Sequence, residues 1–88
     1  MLVQDRASEN ELARLYWQCR RGMLELDTLL LGFLDQGYES LSEDGRQGFL
    51  ELLDYDDTEL LEYLIGRQVH MEVRLRNVIE AIRSSARR

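Results

Sequence analysis

The chain has 88 residues and a net charge of −6, with seventeen acids against eleven bases, every base being an arginine. That balance argues against a nucleic-acid binder, which needs a basic face to neutralise phosphates, and the absence of lysine excludes a lysine nucleophile or Schiff base. A lone cysteine, Cys19, rules out an internal disulfide and suits a reducing compartment. No apolar run approaches the roughly 20 residues of a membrane span; with no basic-then-apolar leader, the expected location is the cytoplasm, without direct membrane insertion.

Residues 1–7 show no periodicity and are expected to fray. Ser8-Glu9-Asn10-Glu11 then reads as a capping box, serine oxygen on the N3 amide and Glu11 back to the cap. Leu12, Leu15, Tyr16 and Cys19 follow at the i, i+3, i+4, i+7 spacing of a helix with one apolar stripe. At about 100° per residue, Arg14, Trp17 and Arg21 share a different face. There Trp17 either forms a stacking and cation–π surface or tucks under the following helix.

Cys19 to Asp27 is a charged knuckle with two readings. As capping chemistry, Arg20 and Arg21 close the first helix, Gly22 breaks it, and Glu25 reaches back to the Gly22 N–H as N3 of the next. As a recognition motif, guanidinium forks stand beside a glycine that lets a partner backbone approach closely. Both use the same residues.

A second helix, roughly Met23 to Gln36, is apolar most of the way round, as expected for a central helix of a bundle, with Gly37 as a left-handed cap. Ser42-Glu43-Asp44 starts a third helix whose apolar face is Phe49, Leu52 and Leu53; Gly45 and Gly48 each weaken it by about 1 kcal/mol relative to alanine. Asp56-Asp57-Thr58-Glu59 caps a fourth, carrying Leu60, Leu61, Leu64 and Ile65, and Gly66 stops it. Met71, Leu75, Val78, Ile79 and Ile82 outline a fifth, with Ser84 to Arg88 loose. The pattern predicts an all-α fold, a compact and mostly antiparallel bundle of about five short helices joined by short connections. One domain covers 1–88, with frayed ends at about 1–7 and 84–88. The charges are segregated: Asp35 to Glu62 is acidic, whereas Arg67 to Arg88 is basic and would either dock on that acidic body or stay solvated.

Few residues point to chemistry. His70 and Cys19, the good metal ligands, are far apart, and Asp54, Asp56 and Asp57 lack EF-hand spacing. His70 is expected partly exposed near the start of the fifth helix, and Cys19 lies on the apolar stripe as an inert buried thiol, unless the nearby arginines activate it. No glycine loop cradles phosphate, and a bundle this small rarely encloses a cleft. The expectation is no enzyme, no catalytic residue and no metal, but an interaction surface made of Arg14, Trp17, Arg21, Gly22 and Glu25, with Asp27 close by.

At these residues the stretch from Tyr16 to Asp27 resembles the signature of the SdhE family, FAD assembly factors of succinate dehydrogenase, whose core is Arg-Gly-x-x-Glu. The likeness continues through Tyr38-Glu39-Ser40-Leu41-Ser42, Phe49 to Asp54, Asp56 to Leu60 and Tyr63-Leu64, covering about residues 10 to 66. It implies a five-helix bundle that binds the flavoprotein subunit of succinate dehydrogenase or fumarate reductase and promotes covalent attachment of FAD to a histidine there. No cofactor would be held stably by this chain. The resemblance carries over Arg21, Gly22 and Glu25 as the motif, with Arg14, Trp17 and Asp27 on the same face. It implies that Arg21 offers its donor fork to a partner carboxylate or carbonyl and that Glu25 pairs an opposing cation. One departure is Tyr63, where the family usually has tryptophan; an aromatic is retained. The competing classes are a regulatory protein-binding module of antitoxin type and a small thiol enzyme using Cys19.

Overall fold

The computed structural model describes residues 4–86, with side chains from Glu11 onward. Five helices follow in order: α1 Gln4–Gln18, α2 Leu24–Gln36, α3 Glu43–Leu53, α4 Asp57–Leu64 and α5 Val73–Ala86, with one 3-10 turn at Tyr38–Ser40. No strand occurs among the described residues. The all-α bundle expected from the 3.6-residue spacing is what forms.

The apolar stripes meet in one core. Leu15 and Cys19 come from the first stripe, Leu26, Leu30 and Phe33 from α2, Phe49 and Leu52 from α3, Leu60 and Leu64 from α4, and Leu75, Val78 and Ile82 from α5. α5 packs on α2, α3 and α4, while α2 also contacts α1 and α4, so two helices rather than one are central. Phe49 sits between Phe33 and Tyr38, with ring centroids 5.6 and 5.4 Å away. Gly48 is buried where α3 crosses α5: a Cβ there would lie 3.0 Å from Val78 Cγ2 and 3.3 Å from Leu75 Cδ2. The low helix propensity of that glycine is offset by close approach of two helices.

Both expected helix caps on the acidic side form. Ser42 Oγ accepts the Gly45 N–H at 3.1 Å, and Asp56 Oδ2 accepts the Glu59 N–H at 3.4 Å. The segregated charge also resolves in part, because Arg74 Nη2 on α5 donates to both carboxylate oxygens of Glu51 on α3, at 3.0 and 2.9 Å. Part of the basic segment is therefore docked on the acidic body. Arg87 and Arg88 lie outside the described residues.

Four local expectations change. α1 is already helical at Gln4, so residues 4–7 are not frayed and Ser8 lies within the helix rather than at its start; nothing from Gln4 to Ala7 breaks a helix. Glu11 accepts the Tyr38 hydroxyl at 3.4 Å instead of closing a capping box. Gly37 ends α2 with φ −127°, not left-handed, and its reason is space, since a Cβ would fall 2.5 Å from the Phe33 ring. At the other end α5 runs through Ser84 to Ala86, yet begins only at Val73, leaving Met71 exposed in a connection spanning 65–72. Its start is set by His70, whose Nδ1 accepts the Glu72 N–H at 3.0 Å. Residues 1–3 and 87–88 of the expected frayed ends lie outside the described residues. Among the described residues, no helix is long and apolar enough to cross a membrane.

Candidate functional site

α1 stops at Gln18, and residues 19–23 turn the chain into α2. Cys19 anchors the turn from within. Its side chain is buried, and burial pushes the thiol up to about 12, an effect the Arg21 guanidinium only partly opposes. Almost no thiolate exists at neutral pH, so the thiol-enzyme reading has no nucleophile.

Arg21 follows with its fork turned inward. Nε donates to Asp57 Oδ1 at 2.7 Å, Nη1 to the Leu53 carbonyl at 2.8 Å and the Gln18 carbonyl at 3.3 Å, and Nη2 to the Tyr55 carbonyl at 2.7 Å. The guanidinium thereby ties the α1–α2 turn to the α3–α4 turn, with only 13 % of the Arg21 side chain exposed. An arginine fork suits this task because its donors diverge in one plane and stay charged at any accessible pH. In the chain by itself, the acceptors that the fork would seek on a partner are supplied by Asp57 and backbone carbonyls.

Asp27, not Glu25, closes the turn from the α2 side. Its carboxylate accepts the Arg21 N–H at 2.7 Å and the Gly22 N–H at 3.3 Å. Two backbone donors that would otherwise face water at the start of α2 are thereby paired with an acid in its first turn, where the helix dipole favours negative charge. The structure thus joins Arg21, Gly22 and Asp27 directly. Asp27 takes this place rather than Glu25 because the two lie on opposite faces of α2, Asp27 half-buried against the turn and Glu25 exposed.

Gly22 is the outermost point. It is exposed, adopts φ +86°, and a Cβ placed on it would meet nothing within 4 Å. A side chain here would be strained by the left-handed backbone but would project into open space. Glu25 is exposed in the first turn of α2 and pairs with no cation among the described residues.

Trp17 is 73 % exposed, so it stands on the surface rather than under α2. The cation over its ring is Arg20, with the guanidinium carbon 5.6 Å from the centroid, and not Arg14 or Arg21. Arg20 belongs to the turn, where the helical wheel no longer applies. Arg14 is exposed one turn upstream and borders a shallow depression with Glu11, Leu15, Gln18 and Leu50. Tyr63 is half-buried and packs against Tyr55 and His70, with centroids 6.0 and 5.0 Å away. Asp57 is the participant that sequence reasoning missed. It lies 36 residues from Arg21 and reads in sequence as one more acid of an N-terminal turn.

Set against known proteins, residues 13–86 match the family described as the flavinator of succinate dehydrogenase. The chain is 39 % identical over 75 residues to the FAD assembly factor SdhE of Shewanella oneidensis, covering 85 % of this chain and 92 % of that protein. It is 43 % identical over 67 residues to the protein of the same name from Idiomarina loihiensis, covering 76 % and 74 %. With that from Aliivibrio fischeri the identity is 46 % over 59 residues, covering 67 % and 69 %. The chain therefore belongs to the family of flavinators of succinate dehydrogenase.

Proposed function

We propose that this protein is an assembly factor that binds the flavoprotein subunit of succinate dehydrogenase, or of fumarate reductase, and promotes covalent attachment of FAD to it. Family membership supplies the flavin link, since the relatives are named FAD assembly factors. The observation that carries the binding reading is the tip itself: an exposed left-handed glycine with open space before it, on a turn fixed by Arg21 and Asp27. A tip held this rigidly is suited to bind without a large ordering cost.

In this reading Gly22, Glu25, Trp17 and Arg14 contact the partner, and Arg21 and Asp27 hold the contact surface in shape. The factor is not an enzyme and holds no cofactor stably; FAD is the group attached to the partner. Its effect is one of positioning, favouring the arrangement of the flavoprotein in which flavin and acceptor side chain are in register. No catalytic group of this chain takes part.

The test is Gly22→Arg. It should leave the helical circular-dichroism spectrum intact, at a cost of about 1–2 kcal/mol for the left-handed backbone, while the co-expressed flavoprotein subunit loses its in-gel flavin fluorescence. A fully fluorescent subunit obtained with this variant would overturn the reading. Recovery of a small toxin rather than a flavoprotein on affinity capture would instead favour the antitoxin class.

A further inference from the structure

The two positions between Gly22 and Glu25 are Met23 and Leu24, and Leu24 is 83 % exposed although the other leucines and the phenylalanine of its helix are buried or half-buried. It forms one wall of a groove of about 690 Å³ whose other sides are Met23, Thr28, Leu29, Leu64 and Ile65, between the start of α2 and the end of α4. Leu64 is buried and forms part of its lining, whereas Ile65 remains 39 % exposed. Exposed apolar side chains gathered around a hollow are unusual on so small a charged protein, where isolated ones would need no explanation. Glu25 is the one charged residue among those lining the groove, and it has no cation of its own among the described residues. The only charge the groove presents is therefore negative.

We infer that this groove seats a bulky apolar side chain of the flavoprotein subunit that is flanked by an arginine or lysine, the cation pairing with Glu25. This rests on the partner-binding reading above and adds which chemistry of the partner is recognised. Arg21 is left out of this recognition, since four of its five N–H donors are engaged by Asp57 and three carbonyls. The apolar wall supplies the affinity: burying one leucine-sized side chain stabilises a complex by about 1.5–3 kcal/mol, tenfold or more in Kd. Glu25 supplies direction, because an apolar segment without a neighbouring cation would bury or face an unpaired carboxylate.

The experiment measures affinity of the apo-flavoprotein subunit for the full-length chain by titration calorimetry, at low and high salt, with flavinylation scored separately. Leu24→Ser and Ile65→Ser change exposed residues, so both should keep the wild-type circular-dichroism spectrum and melting behaviour. Each is expected to weaken binding on the order of tenfold with the salt dependence unchanged. Glu25→Gln should weaken binding less and flatten its salt dependence. Wild-type affinity in both apolar variants, with binding still abolished by Gly22→Arg, would sink the groove and leave the motif's role intact. Unaltered affinity and salt response in Glu25→Gln would remove the flanking cation. A wild-type chain that does not bind the subunit overturns both readings, and a homodimer in sedimentation that Leu24→Ser dissolves assigns the groove to a second copy.

Discussion

Two turns of this bundle pivot on a glycine with positive φ, Gly22 at +86° and Gly66 at +88°, and they are held in unlike ways. The first is fixed by charge. Arg21 and Asp27 distribute formal charges over backbone groups on both sides of the turn, and Asp57 completes the pairing. The second, residues 65–72, combines rings with a guanidinium contact to backbone, Arg76 Nη1 donating to the His70 carbonyl at 3.2 Å. Tyr55, Tyr63 and His70 stack obliquely, and His70 Nε2 meets the Tyr55 hydroxyl at 2.6 Å. Since His70 Nδ1 accepts the Glu72 N–H, the neutral ring carries its proton on Nε2 and donates it to Tyr55. Charged hydrogen bonds are short and directional, whereas oblique ring contacts allow a broader range of geometries. The turn at residues 19–23 has the denser set of charged contacts, while the other leaves Val69 and Met71 exposed.

The contrast is open to direct attack. Arg21→Ala should be the most damaging change in either turn, costing about 2–4 kcal/mol because three carbonyls and Asp57 lose a charged partner at once. For a domain this small the melting temperature should drop by roughly 10 °C or more. Arg21→Lys, which keeps the charge but not the fork, should fall between. If thermal melts show Arg21→Ala no worse than His70→Ala, the first turn is not held by charge.

The buried thiol gives the next largest effect, and its sign can be worked out. Folded Cys19 keeps its proton up to about pH 12, whereas in the unfolded chain it ionises near its ordinary value of 9.0. Above that value the unfolded state binds fewer protons, so stability falls as pH rises, by up to about 1.4 kcal/mol per pH unit. Tyr16 adds to the loss at higher pH, because its hydrogen bond to Asp35 raises its value. Urea midpoints measured from neutral to alkaline pH should decline less steeply for Cys19→Ala than for the wild type. Thiol alkylation should likewise require unfolding.

In the second turn, His70→Ala should cost about 1 kcal/mol, the net worth of a ring hydrogen-bonded to Tyr55 and to the Glu72 N–H just ahead of α5. Hydrogen exchange should rise across 65–72 and not in residues 19–23; a rise in both would merge the two turns into one unit. Tyr63→Phe, the smallest change, should shift stability by less than about 0.5 kcal/mol, since the ring does the packing.

Much of this architecture is legible in the sequence because it depends on neighbours. The buried faces of α2 to α5 follow from i, i+3, i+4 spacing, and Ser42 and Asp56 cap where short polar side chains precede an apolar run. What the sequence hides depends on groups brought together by the fold. Gly37 looks like a left-handed cap until the Phe33 ring occupies the space, and Arg21 looks available until α4 delivers Asp57 to it. The choice of Asp27 over Glu25 for the turn depends on which face of α2 meets residues 21 and 22, which is set by the path of the turn. At the surface, the helical wheel leaves Trp17 open between an exposed and a covered position; the fold exposes it, with Arg20 rather than Arg14 or Arg21 over its ring.

The inward fork of Arg21 bears also on time. Its acceptors Leu53, Tyr55 and Asp57 lie 32, 34 and 36 residues along the chain, so none is within reach until α2, α3 and α4 have assembled. A latch that closes so long a loop is expected to form after the rate-limiting step of folding, a placement that the folding and unfolding rates of Arg21→Ala check. Cutting this latch should therefore leave the folding rate nearly unchanged and speed unfolding, with nearly all the lost stability appearing in the unfolding arm. Arg21 then governs how long the native turn lasts once made, more than how quickly it is reached.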